Sequence, residues 1–160
     1  MIDADKKKKP GSKSDERHRS GKIGGIRYEL LTFDREHCST LSVTVTMRMK
    51  NDLKQSEKKS IRVDIESQLR QWLFENKDFD TTTIMVWDDY GENKLYRYEV
   101  KTGRCLTLHF YIRQSPEMRK RLEKKYVSFA NSRGKAIWNT VCESVQPALE
   151  LVSRTCSNYL

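Results

Sequence analysis

Leu41-Ser42-Val43-Thr44-Val45-Thr46-Met47-Arg48-Met49-Lys50 decides the fold class. Apolar side chains at 41, 43, 45, 47 and 49 alternate with polar ones, and a period of two puts successive side chains on opposite faces of a strand. Its β-branched residues suit a pleated, half-buried surface. One face of this strand is therefore expected to meet a core, and the other is polar.

Outward from this strand, residues 28–33 are expected to pair with it, and the fold is expected to start near Ile26-Arg27-Tyr28. Residues 1–25 carry no periodic apolar pattern. Lys6-Lys7-Lys8-Lys9-Pro10-Gly11-Ser12 leads into mixed charge and then Gly21, Gly24 and Gly25. Such a composition buries too little to offset the entropy of ordering its backbone. Residues 1–25 thus read as a flexible basic arm, and 26–160 as a single globular α+β domain. Deletion of residues 1–22 is expected to leave the melting temperature almost unchanged.

On the C-terminal side, residues 51–60 are polar and read as a loop. Ile65, Leu69, Trp72 and Leu73 recur at helical spacing, which predicts an amphipathic helix over 62–75. Apolar runs at 82–87, 95–100 and 106–112 follow, joined by turn chemistry that includes Asp88-Asp89-Tyr90-Gly91 and Lys101-Thr102-Gly103-Arg104. Short connections of this kind make an antiparallel meander. Ser115-Pro116-Glu117 supplies a capping hydroxyl, a first-turn proline and an acid, so a helix starts there with Met118, Leu122 and Tyr126 as its apolar stripe. Asn131-Ser132-Arg133-Gly134 interrupts it. Ile137, Trp138, Val141 and Val145 open a second helix, Pro147 should kink or restart it, and Leu149, Val152 and Cys156 carry its apolar face onward.

The expected architecture is α+β: an antiparallel sheet with an inserted amphipathic helix and a helical C-terminal segment. Its core is expected to hold Tyr28, Val43, Val45, Met47, Leu69, Trp72, Trp87, Phe110 and Trp138. Replacing Trp72 by Ala is expected to cost about 3–5 kcal/mol.

Length and composition bound the function. At 160 residues and 36% hydrophobic, with three Trp, seven Tyr and five Phe, the chain can build one core. Nothing approaches the ~18 consecutive apolar residues of a membrane span, and no apolar leader follows the N-terminal lysines. The chain is thus expected to be neither integral to a membrane nor secreted. Cys38, Cys105, Cys142 and Cys156 are widely spaced and read as reduced thiols of a cytosol or nucleus. Ile2 excludes an N-terminal myristoyl glycine, and Cys156 stands one residue too far from the end for a prenyl box.

The net charge of +9 is unevenly placed. Residues 1–22 carry +4, residues 23–112 carry zero, residues 113–135 carry +6 and residues 136–160 carry −1. Two basic blocks around a balanced centre suggest two contact surfaces for something anionic.

Catalytic groupings are not evident. His18, His37 and His109 are scattered, and Cys105 and His109 sit roughly 13 Å apart on one strand face, too far to share a metal. His37-Cys38 are adjacent, poor geometry for one tetrahedral ion. Asp88-Asp89 reads as turn chemistry, and the glycines at 21, 24 and 25 lack the strand before and the Lys-Ser/Thr after that a phosphate-cradling loop needs. The expectation is no enzyme, no cofactor, no metal and no small-molecule substrate.

Anion binding, to RNA or acidic lipid, falls instead on Lys6, Lys7, Lys8, Lys9, Lys13, Arg17, Arg19 and Lys22 in the arm. In the second block it falls on Arg113, Arg119, Lys120, Arg121, Lys124, Lys125, Arg133 and Lys135. Arg119, Lys120 and Lys124 are expected to form one cationic face, because only Glu117 and Glu123 can neutralise that helix. Tyr96, Tyr98 and Tyr111 are candidates for exposed sheet positions. The aromatic signature of a sequence-reading RNA-recognition sheet is missing, so backbone contact is expected over base reading.

The order of features resembles the matrix proteins of rhabdoviruses, of the plant-infecting type. The residues that carry the resemblance are Arg27-Tyr28 through Val43-Thr44-Val45-Thr46-Met47, then Ile65 to Gln71-Trp72, reaching Tyr98. It covers under half the chain and is one of layout. Animal members carry a Pro-Pro-x-Tyr budding motif that is missing here. Tyr28-Glu29-Leu30-Leu31 has the form of another such motif but falls in an expected strand. The resemblance implies a non-enzymatic structural protein of the virion that links nucleocapsid RNA to acidic membrane and self-associates. Its place would be the virion and the host cytoplasm and inner membrane face, or the nucleus. The alternative is a soluble nucleic-acid-binding viral accessory protein, a silencing suppressor or movement factor.

Overall fold

A computed structural model describes residues 17–80, 86–88, 104–127 and 132–160. In it the alternating stretch is strand β3 (Thr40–Arg48), whose odd-numbered side chains from Leu41 to Met47 are buried. Strand β2 (Ile26–Thr32) pairs antiparallel on one side, Ile26 opposite Met47 and Leu30 opposite Val43. Strand β5 (Cys105–Arg113) pairs antiparallel on the other, Val43 opposite Phe110 and Val45 opposite Leu108. Strand β4 (Trp87–Asp88) lies antiparallel beyond β5. With β1 (Arg17–Ile23) at the edge, the sheet order is β1-β2-β3-β5-β4, so the fold is α+β on an antiparallel sheet as expected. Of the expected meander, residues 95–100 lie outside the described residues.

The boundary expected at residue 26 is corrected. Residues 17–23 form strand β1 (Arg17–Ile23), paired with β2 from Arg17 opposite Thr32 to Ile23 opposite Ile26. Gly24 and Gly25 connect the two with φ of +53° and +91°, the positive values that both centres of a tight type I′ hairpin turn require. Those glycines read as part of a flexible arm in the sequence, yet they are what folds the chain back. At Gly21 the Tyr28 ring crosses the strand so closely that a Cβ would lie 2.6 Å from its hydroxyl.

The turn is pinned from above, since the Ser153 hydroxyl donates to the Gly24 carbonyl at 2.8 Å and occupies the space a Cβ on Gly24 would need. Gly24→Ala combines left-handed strain with that clash. It is expected to cost about 1–3 kcal/mol, read as a shift in the urea midpoint at unchanged m-value.

Helix α1 (Gln55–Glu75) is inserted between β3 and β4 and starts well before the expected residue 62. Its buried seam is Lys58, Ile61, Ile65, Leu69 and Leu73. The first member is a lysine whose ammonium donates to the Cys105 carbonyl at 3.3 Å, so a polar letter hides the first turn. The Lys54 N–H donates to the Glu57 carboxylate at 2.8 Å and closes the N-terminus. Further along, Arg62 donates to the Val86 carbonyl at 3.1 Å and Glu66 accepts from its N–H at 2.8 Å, which holds the entry to β4.

Helix α2 (Pro116–Lys125) begins as expected. Ser115 accepts the Met118 N–H at 3.1 Å and donates to the Lys77 carbonyl at 2.9 Å. Met118 and Leu122 are buried and Tyr126 is partly so. Helix α3 (Arg133–Thr155) buries Ile137, Trp138, Val141, Val145, Leu149 and Val152 along one face. It runs through Pro147 without a break, which corrects the expected restart. Pro147 and Glu143, whose carbonyl loses its partner, are both on the exposed side, the side on which helix carbonyls can turn toward solvent.

The buried residues form one cluster between the helices and the inner face of the sheet. Val43, Val45, Met47, Leu69, Phe110 and Trp138 belong to it as expected. Tyr28 and Trp72 pack against it only half-buried, Trp72 on the Phe79 ring at 5.6 Å. The side chain of Trp87 lies outside the described residues.

Candidate anion-binding surfaces

Pleat alternation sorts the cations of the sheet. On β1, Arg17, Arg19, Gly21 and Ile23 share the inner face with Leu30 and Val43, while His18, Ser20 and Lys22 point outward with Arg27 and Glu29. Arg17 therefore turns toward the helices and donates through Nε to the Arg35 carbonyl at 2.8 Å, beside Gly134 of α3. Arg19 donates to Asn139 Oδ1 at 2.8 Å. Arg19 bonds the edge strand to α3, and Arg17 bonds it to the turn after β2. Both positions, expected as anion ligands, thus also serve the fold, each through one hydrogen bond. Lys6, Lys7, Lys8, Lys9 and Lys13 lie outside the described residues.

On α2 the expected cationic face divides. Arg119 pairs with Glu123 at 3.3 Å, and the same carboxylate lies 2.8 Å from His37 Nδ1. Arg121 pairs with Asp78 at 2.8 Å on the other flank. Lys125 stands 5.4 Å over the Tyr126 ring, whose hydroxyl bonds Thr140 of α3 at 2.8 Å. Lys120 and Lys124, one turn apart, remain exposed without an ion-pair partner among the described residues. Three of the five α2 cations thus serve the fold or a neighbouring ring, and two face water. Arg133 and Lys135 occupy the first turn of α3, and Arg113 is exposed at the end of β5.

The turn that carries His37 is rigidly made. Asp34 accepts the His37 N–H at 3.1 Å and the Ser39 hydroxyl at 2.8 Å. Burial alone would raise its pKa, but these hydrogen bonds and nearby His37 outweigh it and hold the carboxyl below its ordinary value. Cys38 follows with a positive φ of 51°. Burial pushes its thiol up to about 12, against the opposing pull of Arg17. Burial likewise pushes Cys142 to about 11 and Cys156 to about 12. All four cysteines are free, and these three are protonated and unreactive at neutral pH.

A second surface was not singled out from the sequence. No described element covers the outer face of the sheet, and among the described residues it holds Lys22, Arg27, Arg48 and Arg113 against a single carboxylate, Glu29. Lys22, Arg27 and Arg48 are exposed and have no ion-pair partner among the described residues. A shallow concavity of about 440 Å³ opens beside them over Thr44, Thr46, Thr107 and His109, and Tyr111 stands further along β5, 53% exposed. Segment charge counts conceal this face, because its cations are divided among three segments: Lys22 closes the first basic block, Arg113 opens the second, and Arg27 and Arg48 fall in the stretch 23–112 that balances to zero. The period-two parity of Lys22, Arg27, Thr46 and Arg48 was the available signal.

Among the described residues no three His, Cys, Asp or Glu side chains gather to hold a metal, and no helix is long and apolar enough to cross a membrane. No protein-family model, curated protein or solved structure matches the chain.

Proposed function

We propose that the chain is a non-enzymatic structural protein of matrix type, which docks on an acidic membrane surface through α2 and links it to nucleocapsid. The observation that carries this reading is Lys120 and Lys124, two exposed cations one helical turn apart. Their neighbours Arg119 and Arg121 are already neutralised by Glu123 and Asp78. A cation without a protein partner gains most from an anionic surface, about 1 kcal/mol for each Lys or Arg held near it. The N-terminal lysines add to this attraction, and self-association would multiply it. The layout resemblance to rhabdovirus matrix proteins supports the same reading.

The test is co-sedimentation with phosphatidylserine-containing vesicles. Lys120→Gln with Lys124→Gln is expected to weaken partitioning by about 2 kcal/mol, or some thirtyfold, at unchanged melting temperature. Arg119 is left intact, because its reversal would set a third acid against Glu123. Unchanged partitioning of the double variant would remove α2 from the reading.

A further inference from the structure

We propose that the outer face of the sheet binds single-stranded RNA, with phosphates at its Lys22–Arg27–Arg48 end and a base against Tyr111. This goes beyond the membrane contact assigned to α2 and rests on different residues. Lys22 and Arg27 are direct cross-strand partners between β1 and β2, which sets their Cβ atoms about 5 Å apart. Arg48 is two residues beyond Thr46, the β3 partner of Arg27, and so lies diagonally about 7–8 Å away. Like charges directly opposite destabilise a sheet, and among the described residues no carboxylate lies within ion-pair distance of these three. A bound phosphate would turn that repulsion into charge-assisted hydrogen bonds.

The ground beside them suits a nucleotide strand better than a bilayer. Thr44, Thr46 and Thr107 present hydroxyls that both donate and accept, and His109 Nδ1 is tied to the Thr44 hydroxyl at 3.1 Å. Glu29 leans toward His18, 4.0 Å away, and is an acceptor for a ribose hydroxyl or a base amine. A flat lipid surface would leave this carboxylate and these hydroxyls desolvated without partners. A flexible strand can follow the twist of the sheet and enter the concavity. Tyr111 stands about 7 Å beyond His109 on the same strand face, within reach of the next base for stacking. Arg113 closes the far end, about 20 Å from Thr107 along β5. The result is a track with cations at both ends, hydroxyls between them and one aromatic platform.

The experiment is fluorescence anisotropy of the full chain with a labelled oligouridine of about 12 nucleotides, repeated across salt concentrations. The triple variant K22Q/R27Q/R48Q is expected to reduce the slope of log affinity against log salt by about 2, since each phosphate contact on a single strand contributes about 0.7. Tyr111→Ala is expected to weaken binding about tenfold. The triple variant should melt no lower than the parent, because it removes a repulsion, and it should still pellet with phosphatidylserine vesicles. An unchanged salt slope in the triple variant, or unchanged affinity in Tyr111→Ala, would overturn the assignment. A triple variant that keeps RNA but loses vesicles would give the face to lipid instead. Failure of the Lys120 and Lys124 variants on vesicles bears only on α2.

Discussion

A chain beginning at Arg17 is expected to melt about 10 °C higher than one beginning at Gly24. The difference isolates β1. The strand is paired with β2 along its whole length, and each ladder bond contributes a net ~1 kcal/mol. Its loss also removes the Arg17 bond to the Arg35 carbonyl and the Arg19 bond to Asn139. It leaves β2 as an edge over Leu30, which is fully buried in the intact fold. Set against the entropy regained by the freed segment, about 3–5 kcal/mol should remain, and each kcal/mol moves the midpoint of a chain this size by about 2–4 °C. Circular dichroism melts of the two chains decide it. Equal midpoints would make β1 dispensable, which is what its composition suggests when read alone.

Phe110→Ala is expected to be the most damaging single substitution, about 3–5 kcal/mol, out of the roughly 5–15 kcal/mol that holds a domain together. Phe110 is fully buried at the centre of β5, directly across from Val43. β3 pairs with it on one side and the buried cluster packs over it, so the cavity left behind cannot collapse. Urea unfolding of the variant should show the loss as a lower midpoint. Trp72, ranked beside Phe110 by composition and spacing, is half-buried at the rim of the core. Trp72→Ala should therefore cost less than the 3–5 kcal/mol expected of a buried aromatic.

What could be read from the sequence followed the chemistry of each element. β3 was legible because its apolar residues alternate without exception, and the start of α2 because Ser115 and Pro116 each have one obvious use there. α3 was legible from its apolar stripe, apart from Pro147, whose tolerance depends on which side of the helix faces water. β1 was illegible because an edge strand can fill its inner positions with two arginines, a glycine and one isoleucine, provided something hydrogen-bonds the guanidinium groups. The Arg35 carbonyl and Asn139 do so, and neither is near in sequence. The first turn of α1 was hidden by Lys58, whose charge finds a strand carbonyl once the tertiary fold exists.

The candidate surfaces followed the same division. Counting charge along the chain located α2, where sequence neighbours are also neighbours in space, and two of its five cations have no ion-pair partner among the described residues. It missed the outer sheet face, whose four cations come from four strands and are divided among three segments, two of them in the stretch that sums to zero. Charge on a helix can be counted along a window, whereas charge on a sheet must be counted by parity.

The register of the sheet also fixes where Arg17 stands relative to α2. Arg17, Thr32, Thr40 and Arg113 line one end of the strands, and α2 departs from that same end through Ser115. The eight peptide links from Lys9 to Arg17 reach at most about 28 Å. If α2 holds an anionic surface as proposed, the leading lysines meet that surface at a local concentration set by this short tether, in the millimolar range. The two basic blocks, far apart in sequence, would then behave as one bivalent grip, whose strength depends on the length of chain between them as well as on their charge.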